Sequence, residues 1–136
     1  MRKTVDMRIQ EKRDAWANTI KGRSTRIFHN IKCKCGIYNI SFDLDKEWIM
    51  EKLHGKCELS GLDFKIIKTK FGNKKGPTPF SPSIDRIDPS KGYLKSNCRM
   101  IIFALNSFKQ SLTDIEMFEI ASKLFEFKCD KTEIVW

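Results

Sequence analysis

Residues 81–109 read SPSIDRIDPSKGYLKSNCRMIIFALNSFK, and the order of elements in this stretch decides the fold. Pro82-Ser83-Ile84-Asp85-Arg86-Ile87 suits a short strand. Asp88-Pro89-Ser90-Lys91-Gly92-Tyr93 places Pro and Gly where a turn uses them. Cys98-Arg99-Met100-Ile101-Ile102 suits a second strand, and Phe103 to Lys109 a helix. Asp85 then sits near the end of the first strand and Asn106 one turn into the helix. Folding that helix across the hairpin brings both side chains to one point. A carboxylate and an amide carbonyl are hard oxygen ligands, suited to Mg2+, Mn2+ or another divalent ion. Two protein ligands leave positions for water and a phosphate, the open coordination that phosphodiester hydrolysis uses. By alternation Ile84, Ile87, Ile101, Ile102 and Leu105 belong to the core, with Met100 and Phe103 turned to the opposite side.

Upstream, residues 5–30 lack Pro and contain Gly only at position 22. Sparse apolar residues predict one long basic helix, or two broken near Gly22-Arg23-Ser24. Tyr38 to Phe42 suits a short strand. Asp45 is a helix cap, and Trp48, Ile49 and Leu53 turn inward from a helix that ends at His54-Gly55. Phe64 to Lys68 reads as a strand, and residues 72–79 as a basic loop. Downstream, Thr113 and Glu116 form a capping box that opens a last helix. Ile115, Phe118, Ile120, Ala121, Leu124 and Phe125 give that helix an apolar face, expected to be core.

The strongest elements are S-I-D-R-I-D-P-S-K-G-Y, the K-S-N-C-R after it and the A-L-N-S-F-K of the helix. In this order and spacing they resemble the ββα-metal motif of HNH endonucleases, in the branch common among phage-encoded and homing-type enzymes. GIYNISFDLDKEWIMEKLHGKCELSGLDF (36–64) resembles the region preceding that motif, and LTDIEMFEIASKL (112–124) its closing helix, so the likeness spans about residues 25–125. It implies an α+β fold with a ββα-metal (His-Me finger) core at 36–127, a basic helical extension at 1–35 and a tail at 128–136. It implies that Asp85 and Asn106 bind the metal and that Asn97 holds the loop by bonding to backbone. Arg86 stands where most members carry the His that activates water. An Arg cannot deprotonate water at neutral pH, but its fork can bind a phosphate oxygen and stabilise developing charge. The general base is therefore sought among His54, Asp88, Tyr93 and His29.

Charge agrees with a nucleic-acid partner. The 136-residue chain carries a net charge of +9. Residues 1–34 hold ten Lys or Arg against three Asp or Glu, and residues 65–80 hold five Lys and no acid. Lys74, Lys75, Lys91, Lys95, Arg99, Lys109, Arg23 and Arg26 are the candidate phosphate contacts, Lys109 foremost because it lies one turn after Asn106. The five cysteines, an odd number, lack the paired spacing of a structural zinc site, so no such zinc is expected, and a zinc module binding RNA or protein ranks last. Cys57 and Cys98 are expected buried as small hydrophobes. With no apolar run long enough for a membrane span and no secretory leader, a cytoplasmic protein is expected, in a bacterial host if phage-encoded. The expectation is a metal-dependent endonuclease that nicks or cuts double-stranded DNA, as monomer or homodimer. The alternative is a DNA-binding protein of the same fold that no longer cuts.

Overall fold

In the computed structural model, which describes residues 2–67, 70–71, 74–75 and 78–129, the helices α1 (Arg2–Ala17), α2 (Ile20–Tyr38) and α3 (Lys46–His54) come first. The short strands β1 (Lys70–Phe71) and β2 (Lys74–Lys75) follow, then the hairpin strands β3 (Pro82–Arg86) and β4 (Cys98–Ile102), and last the helices α4 (Phe103–Lys109) and α5 (Asp114–Cys129). The hairpin is antiparallel, with Ile84 opposite Met100, Asp85 opposite Arg99 and Arg86 opposite Cys98. The architecture is α+β.

Each face of the hairpin carries its own apolar cluster. On one, Ile84, Cys98 and Met100 pack with Ile49 and Leu53 of α3, Leu44 and Cys35, and Ile27, Phe28 and Ile31 of α2 close over them. On the other, Cys57, Ile101 and Ile102 pack with Leu59, Phe64 and Leu105. Burial pushes the Cys98 thiol up to about 12, so it stays neutral. The outer edge of β4 is covered: Glu58 N–H donates to the Met100 carbonyl, and Met100 N–H donates to the Glu58 carboxylate.

Local signals explain most element ends. Asp45 caps α3 by accepting from Trp48 N–H at 2.8 Å. Thr113 and Glu116 cap α5 reciprocally. α4 leaves β4 without a loop and has no side-chain cap. Its first N–H groups are met instead by backbone, Phe103 donating to the Ser81 carbonyl and Ala104 to that of Pro79. Those bonds lay α4 back across the hairpin.

Several expectations are corrected. The N-terminal helix does break, but at Asn18–Thr19 and not at Gly22. Thr19 caps α2 by accepting from Gly22 N–H, and a Cβ on Gly22 would lie 2.0 Å from the Trp16 carbonyl oxygen, so this glycine permits the tight corner. Tyr38 to Phe42 is not a strand: α2 runs through Tyr38 to an αL cap at Asn39, and Phe42 makes one isolated bridge to Tyr93. Residues 64–67 are irregular, because Phe64 and Ile66 are fixed by packing and one bond from Lys65 N–H to the Phe80 carbonyl, not by a partner strand. Lys68 lies outside the described residues. The small β1–β2 ribbon overlaps the basic loop, with β2 inside residues 72–79 and β1 just before them. Ile87 is exposed, since the ladder ends at Arg86. The apolar face of α5 is not core. Among the described residues of that helix Met117 alone is buried, while Ile115, Phe118, Ile120, Leu124 and Phe125 are exposed. Cys57 and Cys98 are buried as free thiols, as is Cys35.

Candidate active site

Asp85 points inward from β3, only 3% exposed. An isolated carboxylate at that depth carries a large desolvation penalty, and here both oxygens are met by cations. Arg99 donates from Nε to Oδ2 at 2.8 Å, and Lys109 donates from Nζ to Oδ1 at 2.9 Å. Lys109 is fully buried, and its remaining two N–H donors go to the carbonyls of Arg86 (2.6 Å) and Ile87 (3.3 Å), so the ammonium is saturated. Arg99 continues outward into a bidentate pair with Asp114 at the start of α5, at 2.8 and 2.6 Å. That hydrogen bond holds the Asp114 carboxyl below the usual range. Burial opposes charge on Arg99, yet its two carboxylate partners outweigh burial and raise its affinity for the proton.

Asn106 projects from α4 toward the same place. Its Nδ2 donates to Ser83 Oγ (2.7 Å) and to the Ile84 carbonyl (3.0 Å). A carbonyl can only accept, so this bond fixes the amide orientation and leaves Oδ1 for the cleft. Asp85 and Asn106 together line a cleft of about 170 Å³, completed by Arg86, Tyr93, Lys34, Gln110, Pro89 and Ile84. A second hollow of about 300 Å³ between α2 and the hairpin shares Lys34, Ile84, Tyr93 and Asn106 with it.

This donor set fits a hard divalent ion. Arg99 approaches Asp85 Oδ2 with both Nε and Nη2 at 2.8 Å, while Lys109 takes one lone pair of Oδ1 and leaves the other for an ion. One carboxylate plus one amide oxygen gives an open site. No cluster of three or more His, Cys, Asp or Glu that could hold a metal ion exists among the described residues.

The loop between the strands is built on Asn97. Its Oδ1 accepts from Asp88 N–H, and its Nδ2 donates to the carbonyls of Asp88 and Gly92, each at 3.0 Å. Gly92 lies against Ser41, where a Cβ would come within 2.4 Å of the carbonyl oxygen. Tyr93 is thereby held under the cleft. The Arg86 guanidinium stacks 5.0 Å above the Tyr93 ring and donates to the Lys91 carbonyl, while Lys34 donates to the Tyr93 hydroxyl at 3.3 Å.

Of the candidate bases, Tyr93 alone lines the cleft. His54 is exposed at the end of α3, and His29 is exposed on α2. Asp88 is committed to its own turn, accepting from the N–H and hydroxyl of Ser90, which holds its carboxyl below the usual range. The candidate phosphate-binding cations need more revision. Lys109 is a buried partner of Asp85, and Arg99 a strut between two carboxylates. Arg23 is buried at the α1–α2 corner with Nε unpartnered, because the close approach allowed by Gly22 covers it. Arg26, Lys91 and Lys95 are exposed, the last two paired with Asp88 and Asp45. The side chains of Lys74 and Lys75 lie outside the described residues. Lys34 and Gln110 were not foreseen. Lys34 lies some fifty positions upstream in sequence from the motif, and nothing local marks it. For Lys109 a signal existed: three residues after Asn106 on a helix, it shares the face turned to Asp85.

No protein-family model matches the sequence, and no curated protein is significantly similar to it. Among solved structures the chain is similar to the rare-cutting HNH restriction endonuclease PacI, described as perturbing DNA, with a TM-score of 0.56 and 16% identity over 74% of this chain and 75% of that one. At this identity the likeness establishes the fold, which is therefore the HNH-type α+β fold.

Proposed function

We propose that this protein is a metal-dependent endonuclease that hydrolyses phosphodiester bonds of double-stranded DNA. The observation that carries the reading is the convergence of Asp85 and Asn106, from a strand and a helix of an HNH-type fold, on a cleft rimmed by Lys34 and Arg86. Asp85 and Asn106 would hold the divalent ion, which when bound stabilises charge on the phosphate and the leaving oxygen. Arg86 and Lys34 bind and orient the phosphate, the guanidinium through its fork. The stacking of Arg86 on Tyr93 fixes the direction of that fork. Tyr93, which lines the cleft, would take the proton from the attacking water.

Nicking of supercoiled plasmid with Mg2+ or Mn2+, parent against Asp85→Ala, tests the reading. The parent should nick and the variant should not; equal nicking by both removes the proposed site. The Arg at position 86 motivates the second reading, a DNA-binding protein that does not cut. Retarded DNA with no nicking under either metal selects it.

A further inference from the structure

We infer that the cleft takes its divalent ion only together with nucleic acid, because its own side chains present more positive than negative charge to the ion. The inference rests on the reading of Asp85 and Asn106 as the metal pair. The charged groups lining the cleft are Asp85, Arg86 and Lys34. Those paired with Asp85 are Arg99 and Lys109, and Arg99 is paired in turn with Asp114. Four cations thus face two carboxylates, a local net charge of +2. Asp88 and Lys91 next door offset each other.

The arrangement is built in. Lys109 is fully buried, and its three donors are spent on Asp85 and two carbonyls, so it cannot swing away to admit an ion. Arg99 is held at both ends, by Asp85 and by Asp114. Asp85 therefore offers an incoming ion its remaining lone pairs but little uncompensated charge. Asn106 offers a neutral amide oxygen. Asp85 and Lys109 are shielded from water, where charges interact strongly. A phosphate diester reverses the balance. It brings negative charge to Arg86 and Lys34 and adds a hard oxygen ligand beside Asp85 and Asn106. Metal and DNA then bind as coupled ligands, and by linkage the ion tightens DNA by the same factor that DNA tightens the ion.

Mn2+ binding, read from the resonance of the free ion, tests this on the whole chain at low ionic strength, where phosphate interactions are strong. Titrations run with and without a short duplex of mixed sequence. Asp85→Asn and Asn106→Ala are carried in parallel to subtract ion held by the DNA alone, the second leaving the Asp85 charge cluster whole. The expected result is weak binding by the free chain and affinity about 100-fold tighter with duplex, lost in both variants. Lys34→Gln, an exposed change, and Arg86→Gln should each raise the affinity of the free chain. Equal affinity with and without duplex, lost in Asp85→Asn and Asn106→Ala, overturns the inference while the metal pair stands. Binding indifferent to both variants in either condition overturns the inference and the metal pair together.

Discussion

Lys109 shows how much a single side chain depends on its surroundings. On an exposed helix it would be one more cation for phosphate. Fully buried against Asp85, it instead holds that carboxylate in place. Removing one partner of a buried pair leaves a charge uncompensated, a loss of about 3–5 kcal/mol. Lys109→Met should fall near the lower end, since Arg99 still holds Asp85, and urea unfolding measures it. A loss below about 1 kcal/mol, the range of exposed pairs, contradicts the buried role. Tyr93 calls for a different experiment. Tyr93→Phe keeps the ring beneath Arg86 and removes only the hydroxyl. If that hydroxyl takes the proton, plasmid nicking slows by about 10²–10⁴-fold. His54→Ala, which is exposed and does not line the cleft, should leave the nicking rate unchanged.

The helices differ in what ties them down. α4 is held by backbone bonds to the hairpin entry and by Asn106 and Lys109. α5 is held by its first turn, through Asp114 to Arg99, the capping box and buried Met117. The Asp114 carboxyl is depressed by Arg99, so its stabilising contribution is complete above the unfolded value of about 3.9 and is lost as pH falls through the lower folded value. The stability difference between parent and Asp114→Asn should be level from neutral pH down to about 5 and shrink below about 4. A difference that instead grew toward acid would mean Arg99 is not its cause. Beyond the first turn α5 has little to lose: Leu124→Ser, at a position 60% exposed, should alter unfolding free energy by no more than about 0.5 kcal/mol, where a core position costs several. The same contrast marks what the sequence could reveal. The hairpin, α4, the α3 cap and the α5 capping box rest on alternation and on pairs three residues apart, all local signals. The apolar period of α5 was equally plain, but period reports only that one face is apolar, not whether the fold covers it. Phe64 to Lys68 has the composition of a strand and lacks a strand to pair with. That Asp85 and Asn106 line one cleft was legible because one short motif holds both, whereas Lys34 reaches the cleft from a distant helix.

Charge is arranged over the whole molecule more sharply than the total of +9 suggests. Of the two N-terminal helices, α1 carries five Lys or Arg against three acids, whereas α2 carries five and none. α2 is also the helix that walls the cleft, supplying Lys34, and the one whose Ile27, Phe28 and Ile31 close the core. α1 touches the rest mainly through the corner with α2. These helices therefore separate two effects that a basic N-terminal arm would confound. Deleting residues 1–18 should leave a folded chain whose DNA affinity keeps most of its salt dependence. Deleting residues 1–30 removes Ile27 and Phe28 and should unfold it. Within the intact fold, replacing exposed Arg26, Lys32 and Lys34 by Gln removes cations along α2 without removing a buried side chain. For every phosphate that a removed cation had neutralised, the slope of log affinity against log salt should flatten by about 0.9. The triple variant should then shift that slope by between one and three such steps, as fluorescence anisotropy of a labelled duplex would measure. An unchanged slope in the triple variant, with a flattened slope after deleting residues 1–18, would move the DNA-facing surface from α2 to α1.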